Sequence, residues 1–411
     1  MSSFSLGTLA RRQFLRIAAA TGTATIVARS AQAAMPATVE QGRKVGAPLR
    51  PYGQPSPYEK VVRVSTTSTP TQISSWDFTP LQHLHGIVTP NGLFYERNHA
   101  GIPNIDPRTH RLLVYGLVDG ARAFTIDDLL RYPAVSVIRF LECSGNTLTE
   151  WKKPTAKTVQ VSHGLVSCCE WTGVSVKTLL QDIGVDSKAR WVVAEGADAG
   201  LMDRSIPLEK MMDDAILAYA QNGERLRPEQ GYPLRLLLPG FEGNMSIKWL
   251  RGLKLTTEPT YSREETSKYT DLLANGKARA FTFVMDPKSV ITSPSGGMVV
   301  ENKGFYEIRG LAWSGRGKIR RVDVSTDGGA KWNEAALQEP VLEKCLTRFR
   351  FPWTWAGGSA VLQSRCVDET GYVQPTLQEL VRVRGTDSVY HNNGIQSWAV
   401  ASDGAITNVH A

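Results

Sequence analysis

An α+β domain followed by an immunoglobulin-like β-sandwich is the architecture this sequence predicts. Three observations carry it. Between Trp76 and Thr257, short apolar runs of strand type alternate with segments bearing helix-capping signals. From Phe281 onward, strand-like runs recur at close spacing with turn residues between them, as in a two-sheet β-domain. Residues 261–280, between the two, are polar and irregular and read as a connecting segment. A chain of 411 residues is long enough for two domains.

Residues 1–33 read as an export signal. Arg11-Arg12-Gln13-Phe14-Leu15-Arg16 is followed by a small-residue apolar stretch and then Ala31-Gln32-Ala33. A paired arginine, a weakly hydrophobic middle and an Ala-x-Ala end make a twin-arginine signal, whose route carries chains already folded. It points to the periplasm and to a cofactor taken up before export. An ordinary secretory signal with two chance arginines is the alternative; Phe14 and Leu15 stand where the twin-arginine pattern wants them. Ile17 to Ala28 is too short for a membrane span, which needs roughly 20 apolar residues. Residues 34–75 are rich in Pro, Ser, Thr and Gly and read as an extended arm. The formal charge of +8 falls by four when the signal's Arg11, Arg12, Arg16 and Arg29 are set aside, too little to suggest nucleic acid.

The elements follow in order. Residues 111–118 read as a strand ending at the turn signal Asp119-Gly120. Thr125 is an N-cap with Asp128 at the capping-box position, and Pro133 closes that helix. Residues 135–141 are a strand that runs into Glu142-Cys143-Ser144-Gly145-Asn146, and 234–238 are a buried strand ended by Pro239-Gly240. In the sandwich domain, 281–389, the predicted strands include 304–313, 319–325, 348–355, 360–367 and 379–383, with a tight turn at Asp327-Gly328-Gly329. Residues 390–411 read as a tail suited to wrapping a neighbour.

The five cysteines are Cys143, Cys168, Cys169, Cys345 and Cys366. An odd number in an oxidising compartment leaves at least one thiol free, capped or on a metal. Cys345 and Cys366 are a candidate disulfide pair; a bond between the adjacent Cys168 and Cys169 would be strained. There is no Cys-x-x-Cys-His for a c-type haem and no cysteine run for an iron–sulfur cluster. Cys143, at the end of a strand in a Gly-containing turn, is placed to reach a cleft. From pattern alone, a small buried hydrophobe is the commoner state of such a cysteine. Arg97 and His99 could bind an anion, Arg through its bidentate fork, or make a surface ion pair. His83-Leu84-His85 puts two imidazoles on one strand face without a further ligand.

Together these segments resemble the molybdenum domain of the sulfite oxidase family. The matching pieces are Phe94-Tyr95-Glu96-Arg97-Asn98-His99, Ile105-Asp106-Pro107, Leu141-Glu142-Cys143-Ser144-Gly145-Asn146 and Trp171-Thr172-Gly173-Val174, in that order. Ser205-Ile206-Pro207-Leu208, Gly231-Tyr232-Pro233-Leu234-Arg235, Pro239-Gly240 and Ile247-Lys248-Trp249-Leu250 follow. Trp353-Thr354-Trp355 and Gly371-Tyr372-Val373-Gln374-Pro375 match the family's dimerisation domain. The resemblance implies a molybdenum–pterin catalytic domain over 76–260. The metal would be held by a pterin dithiolene and the thiolate of Cys143, a soft ligand suited to a metal that changes oxidation state. It further implies Arg97 beside the reacting oxygen site, Tyr269 as an active-site tyrosine and Trp171 as a pocket tryptophan. Tyr95, Asn98, His99, Asp198, Arg235, Ser246, Ile247 and Lys248 become pterin and phosphate contacts. Gln230 replaces a family histidine.

Two departures bear on substrate. Family arginines that reach the sulfite pocket are replaced by Leu148 and, after the Trp-x-Trp pair, by Ala356. Fewer cations weaken the attraction for a small dianion and suggest sulfur carried on something larger. The export signal, Glu264-Glu265-Thr266-Ser267-Lys268-Tyr269 and His391-Asn392-Asn393-Gly394-Ile395-Gln396-Ser397-Trp398 resemble the sulfane dehydrogenase branch of the family. That branch implies a sulfur-carrier protein bearing the substrate, a c-type cytochrome subunit as electron acceptor, and a homodimer core. A dehydrogenase of free sulfite and a cofactor-free periplasmic binding protein are the alternatives.

Overall fold

A computed structural model of the chain describes residues 48–66, 74, 76–273 and 275–411. The export signal lies outside the described residues. The chain divides into two compact units, residues 1–59 and 60–411. Of the first, the described 48–59 are exposed and without regular structure, with Arg50 bonded to Gln54 at 2.8 Å.

In the second unit the predicted α+β part contains two five-stranded sheets. One orders Glu224–Arg225, Ile216–Gln221, Val166–Ser175 and Ala134–Glu142 side by side, with Arg235–Leu237 also paired to Ile216–Gln221. The other orders Arg122–Phe124, Leu112–Gly116, Leu250–Thr256, Trp191–Gly196 and Asp203–Pro207. Only the pairing of Leu112–Gly116 with Leu250–Thr256 is parallel in that sheet. Leu112, Val114, Val192, Leu236 and Leu253 of these sheets share a core with Leu179, Leu180 and Ile183 of the helix Val176–Ile183. The spacing of those three helical residues puts them on one face. The predicted Thr125–Asp128 capping box is present, each partner bonding the other's backbone N–H.

The C-terminal part has an antiparallel four-stranded sheet of Lys288–Ser293, Gly304–Trp313, Thr347–Trp355 and Ala336–Gln338. A five-stranded antiparallel sheet accompanies it: Asn333–Glu334, Ile319–Ser325, Ala360–Asp368, Ser397–Val400 and Ile406–Val409. Ile308, Leu311 and Phe349 from the first sheet and Val322, Leu362 and Trp398 from the second belong to one core.

Four expectations are corrected. Residues 379–383 are helical, within Leu377–Arg384. Thr376 and Glu379 form a capping box there, and the two carboxylate-accepted and hydroxyl-accepted bonds outweigh the strand-like alternation of Leu380, Val381 and Val383. Thr376→Ala is expected to cost about 1 kcal/mol of stability, read as a lowered midpoint in thermal unfolding. Residues 390–411 are not a loose tail: their two strands complete the five-stranded sheet and bury Trp398 fully. The connecting segment holds a helical turn, Arg263–Thr266, and the short hairpin Asp271–Leu272 with Ala278–Arg279. In the arm, Val64–Thr66 pairs with Trp76–Phe78.

All five cysteines are free. Cys345 does not meet Cys366. Its thiol donates to the carbonyl of Ile138 at 2.6 Å and touches Cys168, across the joint between the two parts of the unit.

Candidate active site

Cys143 stands where the Ala134–Glu142 strand leaves its sheet. Its N–H donates to the Leu165 carbonyl at 3.0 Å, and its own carbonyl accepts from Asn146 N–H at 2.9 Å. Asn146 closes the turn, with its side-chain carbonyl on Leu165 N–H at 3.1 Å and its amide on Glu142 at 2.9 Å. The thiol is half-buried and faces the cleft. Burial pushes its pKa up, while the Gly145 N–H and the Arg97 charge pull it down.

Glu142, next to Cys143, anchors this turn in the C-terminal part. Its carboxylate takes Lys288 Nζ at 2.7 Å and the indole N–H of Trp313 at 2.7 Å. The ion pair is sealed, its side chains 1% and 0% exposed.

Around Cys143 lies a cleft with about 670 Å3 of empty space, its open mouth included. Tyr95, Arg97, Asn98 and His99 line one wall, Asp198 comes from the loop after Trp191–Gly196, and Gln230, Arg235, Asn244, Ser246, Ile247, Lys248 and Tyr269 complete it. The structure therefore gathers every sequence-predicted site residue except Trp171. That indole is fully buried behind the cleft, beneath the Arg235 guanidinium at 4.9 Å and edge-on to Phe94 at 5.7 Å. Trp171 supports Arg235 and does not reach the pocket. Ala356 is also misplaced by the sequence pattern: it is exposed, at the end of Thr347–Trp355, and does not line the cleft. Leu148 is half-buried beside Gly145, in a small apolar cleft with Trp76, Phe78, Val161 and Leu165. Among the described residues no group of three or more His, Cys, Asp or Glu side chains could hold a metal ion, so His83 and His85 form no such site.

Two buried cations, Arg235 and Lys248, line the cleft. Arg235 donates to the carbonyls of Gln230 and Ser246, each at 3.0 Å, and its Nε is buried without a partner. Burial lowers its pKa to about 10. Lys248 donates to the carbonyls of Arg97 at 3.1 Å and Glu229 at 3.0 Å, and to the side chain of Asn98. Burial, then the charge of Arg235, pulls Lys248 down to about 7. Both shifts have one cause: buried cations with too little negative charge around them. Gly231, at φ +107°, lets the chain pass here; a Cβ would come within 3.1 Å of Lys248 Cα. Gln230 takes the histidine's place as a donor, its amide on the Tyr95 carbonyl at 3.0 Å.

At the mouth, Tyr269 bonds His99 Nε2 through its hydroxyl at 3.0 Å. Burial raises the Tyr269 pKa, so the phenol stays protonated. His99 is lowered to about 4 by burial, with the Arg97 and Lys248 charges adding, so it is neutral near pH 7 and can accept the phenol's hydrogen bond. Arg97 lies over the Trp76 ring at 5.2 Å. Sequence reasoning missed Trp76, Arg204, Glu242, Asn244, Tyr390 and the role of His391. No local signal marks them, because they come from four separate segments and converge only in the fold.

One cleft thiol, two buried cations and, among the described residues, no group of three or more metal-ligating side chains fit a class of protein: oxidoreductases whose metal arrives on an anionic organic cofactor that supplies most of its ligands. The oxidoreductase molybdopterin-binding domain matches residues 99–264, and the molybdenum-cofactor oxidoreductase dimerisation domain matches residues 279–398. The crystal structure of the sulfane dehydrogenase SoxCD from Paracoccus pantotrophus superposes with a TM-score of 0.88 at 46% identity, covering 90% of this chain and 96% of that one. Mitochondrial sulfite oxidase of Mus musculus is 33% identical over 344 residues, 76% of this chain and 62% of that protein. NADH nitrate reductase of Solanum lycopersicum is 32% identical over 342 residues, 72% of this chain and 37% of that protein. This chain belongs to the sulfite oxidase family of molybdopterin-binding oxidoreductases. It spans less than two thirds of the length of these two curated relatives.

Proposed function

We propose that the chain is the molybdenum subunit of a periplasmic sulfane dehydrogenase. It oxidises the outer sulfur of an intermediate held on a sulfur-carrier protein (SoxY-like) and passes the electrons to a c-type cytochrome subunit (SoxD-like). The observation that carries this reading is the 46% identity to the SoxCD structure over 90% of the chain. Three sequence features support it: the twin-arginine signal, the absence of a haem-attachment motif in the chain, and Leu148 in place of a pocket arginine. The C-terminal part, read as an immunoglobulin-like sandwich, is proposed to form the homodimer core.

The residues present fit the cofactor. The single thiol in the cleft would provide one metal ligand, and the buried Nε of Arg235 has no hydrogen-bond partner within the protein. Cys143 would hold the metal; Arg235, Lys248, Asn98, Ser246 and Ile247 would hold the pterin and its phosphate, with Tyr95, His99 and Asp198 lining the same seat. When bound, the molybdenum–pterin supplies two-electron oxygen transfer to sulfur. The chain's residues do the rest. Arg97, lying over the Trp76 ring, would present its guanidinium to an anionic end of the substrate. Tyr269 remains a hydrogen-bond donor in the cleft, its orientation set by neutral His99. Leu148 lies outside the lining of this cleft, in the neighbouring apolar one, beside Gly145 on the turn that carries Cys143, and brings no cation to that turn.

The deciding experiment compares turnover with carrier-bound sulfane and with free sulfite. Faster turnover with the carrier supports the proposal, and equal or faster turnover with sulfite alone would make the protein a sulfite dehydrogenase. Molybdenum-free protein, purified from cells supplied with molybdate, would instead mean a binding role. Leu148→Arg is expected to tighten free sulfite about tenfold, since a charge-assisted hydrogen bond contributes about 1.5–3 kcal/mol; an unchanged KM for sulfite would count against the lost-cation argument. Ala356→Arg is expected to do nothing to sulfite binding, because that exposed position follows the strand Thr347–Trp355, whereas Leu148 stands beside the Cys143 turn.

A further inference from the structure

The C-terminal segment that follows the helix Leu377–Arg384 passes directly behind the site. The backbone N–H of His391 donates to the carbonyl of Ser144, the residue after Cys143, at 2.8 Å. Its ring Nε2 meets the Glu242 carboxylate at 3.1 Å, and Glu242 in turn takes Arg204 at 3.1 Å. The Arg204 guanidinium lies over the ring of Tyr269 at 5.1 Å. This relay is dry: His391 is 6% exposed, Glu242 and Arg204 1% each. From the other side, the Tyr390 ring sits against that of Tyr269 at 5.2 Å, and its hydroxyl accepts the Tyr269 backbone N–H. His391 and Tyr269 both hold φ near +55°, a conformation that costs of order 1 kcal/mol or more for a residue with a side chain. Two residues in this conformation persist because the surrounding bonds over-determine them.

We propose that Tyr390 and His391 are positioning residues for the active site: His391 fixes the Cys143 turn and, through Glu242 and Arg204, the ring of Tyr269, while Tyr390 fixes the Tyr269 backbone. The inference rests on the reading of Cys143 as metal ligand and Tyr269 as a site residue. It gives the C-terminal segment a part in the chemistry although the segment contributes no side chain to the cleft wall. A buried hydrogen-bonded ion pair aims its members strongly, because any displacement leaves a charge unpaired. Displacing a reacting group by about 1 Å can cost on the order of a hundredfold in rate.

The test uses full-length, molybdenum-loaded protein and three variants, His391→Leu, His391→Gln and Tyr390→Phe. Molybdenum per chain and the electron paramagnetic resonance spectrum of the metal in dithionite-titrated protein are both read, so no substrate is needed. His391→Leu is expected to keep its molybdenum and shift the spectrum. His391→Gln, whose amide can still donate to Glu242, is expected to restore it. Turnover with carrier-bound sulfane should fall by about 10–100-fold in the leucine variant and by less than about threefold in the glutamine variant. A fully loaded leucine variant with the parent spectrum would overturn the proposal. If the leucine variant does not fold, Tyr390→Phe decides: it removes one hydroxyl from a half-buried side chain, and a spectrum and turnover equal to the parent's would overturn the proposal equally. Cys143→Ser and Tyr269→Phe, run alongside, separate the outcomes. A parent-like spectrum in the first or parent-like turnover in the second removes the underlying reading of that residue, and leaves the His391 result as a statement about the turn alone.

Discussion

Replacing Cys143 with serine is expected to abolish turnover and to leave the fold intact. The loss should exceed the roughly 10–100-fold that follows removal of a hydrogen-bond partner behind a metal ligand, because the ligand itself is changed. A serine hydroxyl stays protonated at neutral pH and is a harder donor than the thiolate that a redox-cycling metal prefers. No other thiol lines the cleft to take its place. The fold survives because the turn is held by backbone groups and by Asn146, none of which uses the sulfur. Metal analysis, turnover and thermal unfolding on one preparation check all three parts. Retained turnover would refute Cys143 as the metal ligand, and a collapse in stability of several kcal/mol would refute the view that the thiol is dispensable for the turn.

The largest effect on stability is expected from Lys288→Met, about 3–5 kcal/mol. That variant leaves the Glu142 carboxylate sealed at 0% exposure with only neutral donors, Asn146 and the Trp313 indole. Removing both charges, Lys288→Met with Glu142→Gln, should return most of the loss, since a buried pair replaced as a pair is often near neutral. Denaturant unfolding of the single and double variants measures the coupling directly. If the single variant costs less than about 1 kcal/mol, water reaches the carboxylate and the joint between the two parts is looser than the structure has it. The consequence reaches the site, since Glu142 is covalently next to Cys143 and sets where its strand ends.

Local signals made much of the fold legible. The Thr125–Asp128 box, the Asp119-Gly120 turn and the strand runs at 304–313 and 319–325 each announce themselves within a few residues, and each forms. The failures are just as specific. The segment after Thr376 carries the same capping box as Thr125, yet its Leu-x-x-Leu-Val-x-Val spacing also satisfies a strand, and only the cap's two bonds decide. Residues 390–411 are too polar and short in each strand to look like sheet. They are strands because the edge of Ala360–Asp368 offers a ladder to pair with. The order of motifs named residues that the fold brings to one cleft, but Trp171 shows the limit of spacing: it lies in the strand Val166–Ser175, and its side chain is buried beneath Arg235.

By itself, the sequence determined the family and pointed to Cys143, to Arg235 and Lys248, and to the change of character after Thr257, because each is written in residues close together or in motifs kept in order. The tertiary structure alone decided what supports them. Glu142 with Lys288, and His391 with Glu242 and Arg204, join residues more than a hundred positions apart. Such pairs exist only after the two parts have closed over one another, excluding the water that would otherwise solvate each charge separately.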